Sequence, residues 1–161
     1  MTPDEVHTLA DGFTATAKTI LERGRDLAPV AFIITPDGEI MVIGLMWDSL
    51  SAKRAAYAKL RAERAKVPGS SLVLINDVWM AKLRPGEPDP IGGPENHPER
   101  RECLQVVIDC PGFREFRSHP YHYEGSRIVW EPELAPSSEA KWSSAILGDE
   151  LPDWSADPRR A

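Results

Sequence analysis

Two apolar runs joined by a tight turn constrain this chain more than any other feature. Val30-Ala-Phe-Ile-Ile34 and Ile40-Met-Val-Ile-Gly-Leu45 flank Pro36-Asp37-Gly38. Proline presets the turn dihedral and glycine accepts a left-handed one, so residues 30–46 read as a β-hairpin. Neither run alternates apolar with polar. Nearly every position is apolar, the pattern of strands covered on both faces. A single helix covers one face only. The second cover must come from the C-terminal tail, from another part of the chain or from a partner subunit.

The segment before the hairpin supplies one cover. Residues 3–26 read as a helix: Thr2 caps it, Pro3 suits the first turn and Glu5 completes a capping box. Val6, Leu9, Ala10, Phe13, Ala17, Ile20 and Leu21 recur at steps of three and four, giving one apolar stripe. Gly24 and Pro29 are stop signals, and His7 is expected to be exposed. A second helix is expected over 48–66, capped by Asp48 or Ser49. Trp47, Ala55, Ala58, Ala62 and Ala65 fall on one side of it, a flat face suited to close packing. Arg54, Tyr57, Arg61 and Arg64 form an adjoining stripe, and residues 53–66 carry six bases against one acid.

Strands follow. Residues 71–83 read as a strand with a bulge near Asn76, because Leu72, Leu74, Asp77 and Trp79 do not share one parity. Residues 85–98 hold five prolines and three glycines and read as a long loop. Residues 101–109 alternate, with Leu104, Val106 and Ile108 on one face and Cys103, Gln105 and Val107 on the other. Further strands are expected over 113–122 and 127–130. The chain therefore reads as α+β: two helices on a mostly antiparallel sheet of about six strands, in the order α-β-β-α-β-β-β-β. Residues 1–132 form a single domain in this reading. Residues 133–161 form an acidic, Pro/Ser-rich tail, partly ordered, with a short helix around 138–147 and Trp154 as an anchor.

Composition narrows the function classes. At 161 residues with 42% hydrophobic residues, the chain can bury a core without metals or disulfides. Its net charge of −6 argues against general nucleic-acid binding. Much of that acidity lies in residues 131–161, which hold seven acids and three bases. Cys103 and Cys110 are seven apart and fall on opposite faces of one strand, which disfavours a local disulfide and suits a reduced, cytoplasmic protein. No apolar run reaches the ~20 residues of a membrane span, and the N-terminus lacks a signal-peptide pattern.

Catalytic signatures are sparse. His119-Pro-Tyr-His122 has an HxxH spacing, but positions three apart on a strand face opposite ways. His97 and Asp109 are the other residues from which a metal site would be built. There is no GxSxG elbow, and Gly92-Gly93 runs into Pro94 rather than a phosphate-binding helix. The opening helix–hairpin–helix order has a likeness to metal-dependent isopeptidases of the JAMM class. Their HxH motif is missing, and the likeness carries no activity over.

One pattern remains. Asp77-Val-Trp79, a proline loop, and His97-Pro98-Glu99-Arg100-Arg101-Glu102 entering a strand resemble small uncharacterised bacterial and phage proteins. That resemblance spans some 25 residues and implies no known activity. It marks a Trp79-floored loop rimmed by Arg100 and Arg101, with Arg100 expected to pair with Asp77 or Glu102. The expected function is a non-enzymatic, self-associating interaction domain, accessory to a bacterial or phage complex and without a cofactor. Its candidate surface is Arg54, Tyr57, Arg61, Arg64, Trp79, His97, Arg100 and Arg101. Alternatives are a small hydrolytic or metal-assisted enzyme using His97, His119 and His122, and anion or nucleic-acid binding by the Arg54–Arg64 face.

Overall fold

The structure, a computed structural model, describes residues 1–81 and 96–137. Helix α1 (Pro3–Glu22) begins as its capping box requires: the Thr2 side chain accepts from the Glu5 N–H, and the Glu5 carboxylate accepts from the Thr2 N–H at 2.7 Å. It stops at Glu22 rather than 26, because Gly24 turns left-handed at φ 68° and ends the helical hydrogen bonding. The hairpin follows as β1 (Val30–Ile34) and β2 (Ile40–Gly44), then α2 (Leu50–Ala65), capped by Ser49. Strands β3 (Ser71–Met80), β4 (Arg101–Cys110), β5 (Phe113–Glu124), β6 (Arg127–Trp130) and β7 (Leu134–Ser137) complete the order.

All pairings are antiparallel, and the sheet runs β2-β1-β3-β4-β5-β6. Strand β7 joins β5 at Phe116 and Ser118, upstream of the β6 pairing, so two short strands share one edge. The α+β class and the two helices agree with the sequence reading. Strand β7 is an addition: Leu134-Ala-Pro-Ser137 carries no strand pattern of its own.

Alternation along the strands builds two cores. On one face, Val73, Ile75, Leu104, Val106, Ile108 and Tyr121 pack under Val6, Ala10, Ala17 and Leu21 of α1. On the other, Ala31, Ile33, Leu72, Leu74, Val107 and Phe116 pack with Tyr57 and Leu60 of α2. The second cover for β1 is thus α2, and the molecule has three layers. Cys103 and Cys110 lie in opposite cores as free thiols.

Three expectations are corrected. Strand β3 has no bulge. Its register on β4 is unbroken from Leu72 against Asp109 to Met80 against Arg101. The mixed parity arises because Ser71–Ile75 is buried on both faces, while Asp77 and Trp79 lie beyond the core on one. The alanine stripe of α2 is not its packing face: Ala55, Ala58, Ala62 and Ala65 are exposed, and Tyr57 and Leu60 are buried. A methyl group buries too little area to orient a helix against a phenol and an isobutyl group. His7 is half-buried, with its ring 5.0 Å from Phe113 and Nδ1 3.2 Å from Arg117. The glycine pair at 92–93, most of the proline loop, the helix expected at 138–147 and Trp154 lie outside the described residues.

Candidate functional site

The largest departure from the sequence reading is at the hairpin. Both faces of β1 are covered, but β2 is an edge strand, and among the described residues only its Ile43 packs against a core. Ile40, Met41 and Val42 are exposed, Val42 at 62%, and Met46 just beyond the strand at 85%. Helix α1 reaches the hairpin no further than β1, where Phe13 stacks on Phe32 at 3.9 Å. Val42 is the register partner of Phe32 and sits one strand past that cover. At the C-terminal end of β2 the apolar surface continues into an open hollow of about 450 Å³, lined by Pro29, Leu45, Met46, Trp47 and Ala52 among others.

Edge strands offer unpaired backbone groups, and proteins blunt them with charges, prolines, bulges or short length. The far edge of this sheet uses those devices. It is split into two four-residue strands, carries Arg127 and Pro136, and slips register between Phe116 and Ser118. Strand β2, five residues long, lacks the charge, proline and bulge: Ile40-Met-Val-Ile-Gly44 is uncharged, free of proline and regular in its pairing.

The outward backbone groups of β2 follow from two hydrogen bonds. Thr35 N–H donates to Glu39 O at 2.9 Å, and Leu45 N–H donates to Pro29 O at 2.8 Å. Hydrogen-bonded and non-hydrogen-bonded pairs alternate in an antiparallel ladder. Glu39, Met41, Ile43 and Leu45 therefore turn their N–H and C=O toward β1, and Ile40, Val42 and Gly44 turn theirs outward.

The residues singled out from sequence divide. In the basic stripe, Arg54 and Arg61 are exposed, but Tyr57 is buried at 4% and Arg64 is turned inward. Arg64 binds the Asp109 carboxylate and donates to Ser70 O at 3.1 Å, while Arg114 Nε reaches the same carboxylate at 3.2 Å. That brace fastens the C-terminal end of α2 to β4 and β5. The stripe is therefore not one surface.

The Trp79 loop is also rearranged. The Arg100 guanidinium lies 5.3 Å above the Trp79 ring, rather than pairing with Asp77 or Glu102. Asp77 instead accepts from the Tyr121 hydroxyl at 2.8 Å. Arg101 pairs with Glu131 at 2.7 Å, and His97 is buried, its Nδ1 accepting from the Glu99 N–H at 3.0 Å. Burial pushes the Asp77 carboxyl above its ordinary value despite the tyrosine bond, and burial with the Asp77 charge does the same for Glu102. Tyr121 is raised in turn, by burial first and then by Asp77.

A half-buried carboxylate with a raised pKa costs stability at neutral pH. The folded state holds its proton more tightly than the unfolded state does, so this contribution declines as pH rises from about 3.9 through the raised folded value. Asp77→Asn retains an oxygen for Tyr121 and carries no charge. It is expected to be more stable than wild type at pH 7 and to lose that decline, as thermal melts across the acid range will measure.

The histidine set does not converge. His119 faces the α1 side, the register partner of Leu104, whereas His122 faces the other side and pairs with Glu131 at 3.3 Å. Asp109 lies five residues along β4 from Leu104, about 17 Å at ~3.4 Å per residue. Burial, then the Lys18 charge, lowers the His119 pKa, with Glu133 at 3.6 Å opposing. Burial pushes the Cys103 thiol up to about 12 and raises Cys110 as well, so neither is poised as a thiolate. Among the described residues no group of three or more His, Cys, Asp or Glu side chains is placed to hold a metal ion. None of the helices among the described residues is long and apolar enough to cross a membrane.

No protein-family profile, no curated protein and no solved structure matches the chain.

Proposed function

We propose that this chain is a non-enzymatic protein-interaction domain that self-associates, and that β2 is its interface. One observation carries the reading: an uncharged edge strand with Ile40, Met41 and Val42 exposed, on a sheet whose opposite edge is blunted. Contiguous apolar surface of this kind on a folded domain marks an interaction site. The interaction surface thereby moves from the arginine stripe and the Trp79 loop to the hairpin. Arg54 and Arg61 remain exposed on α2, but the loss of Tyr57 and Arg64 to packing leaves no continuous basic surface for an anionic partner. The bacterial or phage setting rests on the resemblance of the Asp77–Glu102 pattern alone.

Multi-angle light scattering over a micromolar dilution series tests the proposal. The expected result is a mass above that of one chain at high concentration, falling toward it on dilution. A single-chain mass at every concentration contradicts it.

A further inference from the structure

We propose that the strand β2 accepts is β2 of a second copy, antiparallel to it and related by a twofold axis through Val42, so that two sheets become one. The inference rests on the self-association reading and specifies its register. In an antiparallel ladder, residues directly opposite lie on the same face. An axis perpendicular to the sheet preserves faces, which keeps both α1 layers on one side and restricts the register to residues of matching parity. Centring on Val42 sets Val42 against Val42, Ile40 against Gly44 and Met41 against Ile43.

Two features select that centre, and a third is compatible with it. First, Ile40, Val42 and Gly44 are the β2 residues whose N–H and C=O point outward. With Val42 at the axis, each of them meets another of the three, and every such pair exchanges two hydrogen bonds. A slip of one step either way leaves Ile40 or Gly44 on both strands without a β2 partner. Second, the side chains complement one another. Ile40 falls opposite Gly44, where a Cβ would meet nothing within 4 Å, so its side chain enters open space. Val42, more exposed than Ile40 or Met41, packs on its own copy. Third, no like charges are opposed. Glu39, the charged residue next to β2, falls opposite Leu45, whereas charges directly opposite would repel. The closed twofold pairing also consumes both exposed edges, whereas pairing β2 with the far edge of another copy would propagate.

Cysteine crosslinking tests the register. The two native thiols are buried in separate cores, so oxidation reports on an introduced cysteine. Hydrogen-bonded antiparallel partners have Cα atoms about 5.5 Å apart, within the roughly 4.4–6.8 Å that a disulfide spans. Val42→Cys, oxidised in the full chain at a concentration where light scattering reads a dimer, is expected to give a covalent dimer that reductant reverses. Arg127→Cys on the opposite edge is expected to remain uncrosslinked. A dimer by scattering that crosslinks through Arg127→Cys, or through neither variant, overturns the Val42-centred pairing and leaves self-association standing. A monomer by scattering removes both.

Discussion

Replacing Asp109 with alanine is expected to lower the unfolding free energy by about 3 kcal/mol, the usual scale for stripping one partner from a buried charge cluster. The Asp109 side chain is 8% exposed and answers two guanidiniums, Arg64 from α2 and Arg114 from β5. Its removal leaves both cations turned inward with no carboxylate between them. Arg64 keeps its bonds to Ser70 O and to the Asp109 backbone oxygen, at 3.1 and 3.3 Å, and those backbone acceptors do not neutralise it. For a domain of this size the loss corresponds to roughly 10 °C in melting temperature. Arg61→Ala on the exposed side of the same helix is the control, expected within about 0.5 kcal/mol of wild type. Equal melting of Asp109→Ala and wild type would mean that the brace contributes nothing to the hold on α2.

Val42→Lys is expected to leave a folded monomer. Val42 is 62% exposed and none of its side-chain surface is needed for either core, so the melting temperature should stay close to wild type. In the paired state the change is large. Two ammonium groups face each other across the axis, and lysine on an edge strand is the device by which other proteins prevent this pairing. The dissociation constant is expected to rise by roughly a hundredfold, about 2.7 kcal/mol. Sedimentation velocity measures it directly. A Val42→Lys protein that associates as strongly as wild type places the interface elsewhere.

The elements were legible wherever a local signal set them. The Thr2/Glu5 box, the Pro36-Asp37-Gly38 turn and the alternation of Leu104, Val106 and Ile108 each act over a few residues, and each is found where its chemistry put it. Relations across long separations were not legible. Arg64 looked like surface charge because its partner lies 45 residues on. Tyr57 and Leu60, with the Arg64 stem, mark the packing side of α2 at steps of three and four, a signal that four alanines obscured. Strand β2 misled for a different reason. An apolar run reads the same whether it is covered on both faces or lies uncovered at an edge, and strand order decides between the two. With β1 inserted between β2 and β3, the run that predicted a buried strand became the exposed one.

Amide hydrogen exchange of the intact chain at low and high concentration addresses the β2 interface most directly. In the free chain the N–H groups of Ile40, Val42 and Gly44 point to solvent, while those of Met41 and Ile43 are already bonded to β1. Self-association through β2 predicts that protection at Ile40, Val42 and Gly44 rises with concentration and that Val42→Lys abolishes the rise. Exchange at those three amides that is fast and identical at both concentrations would contradict it.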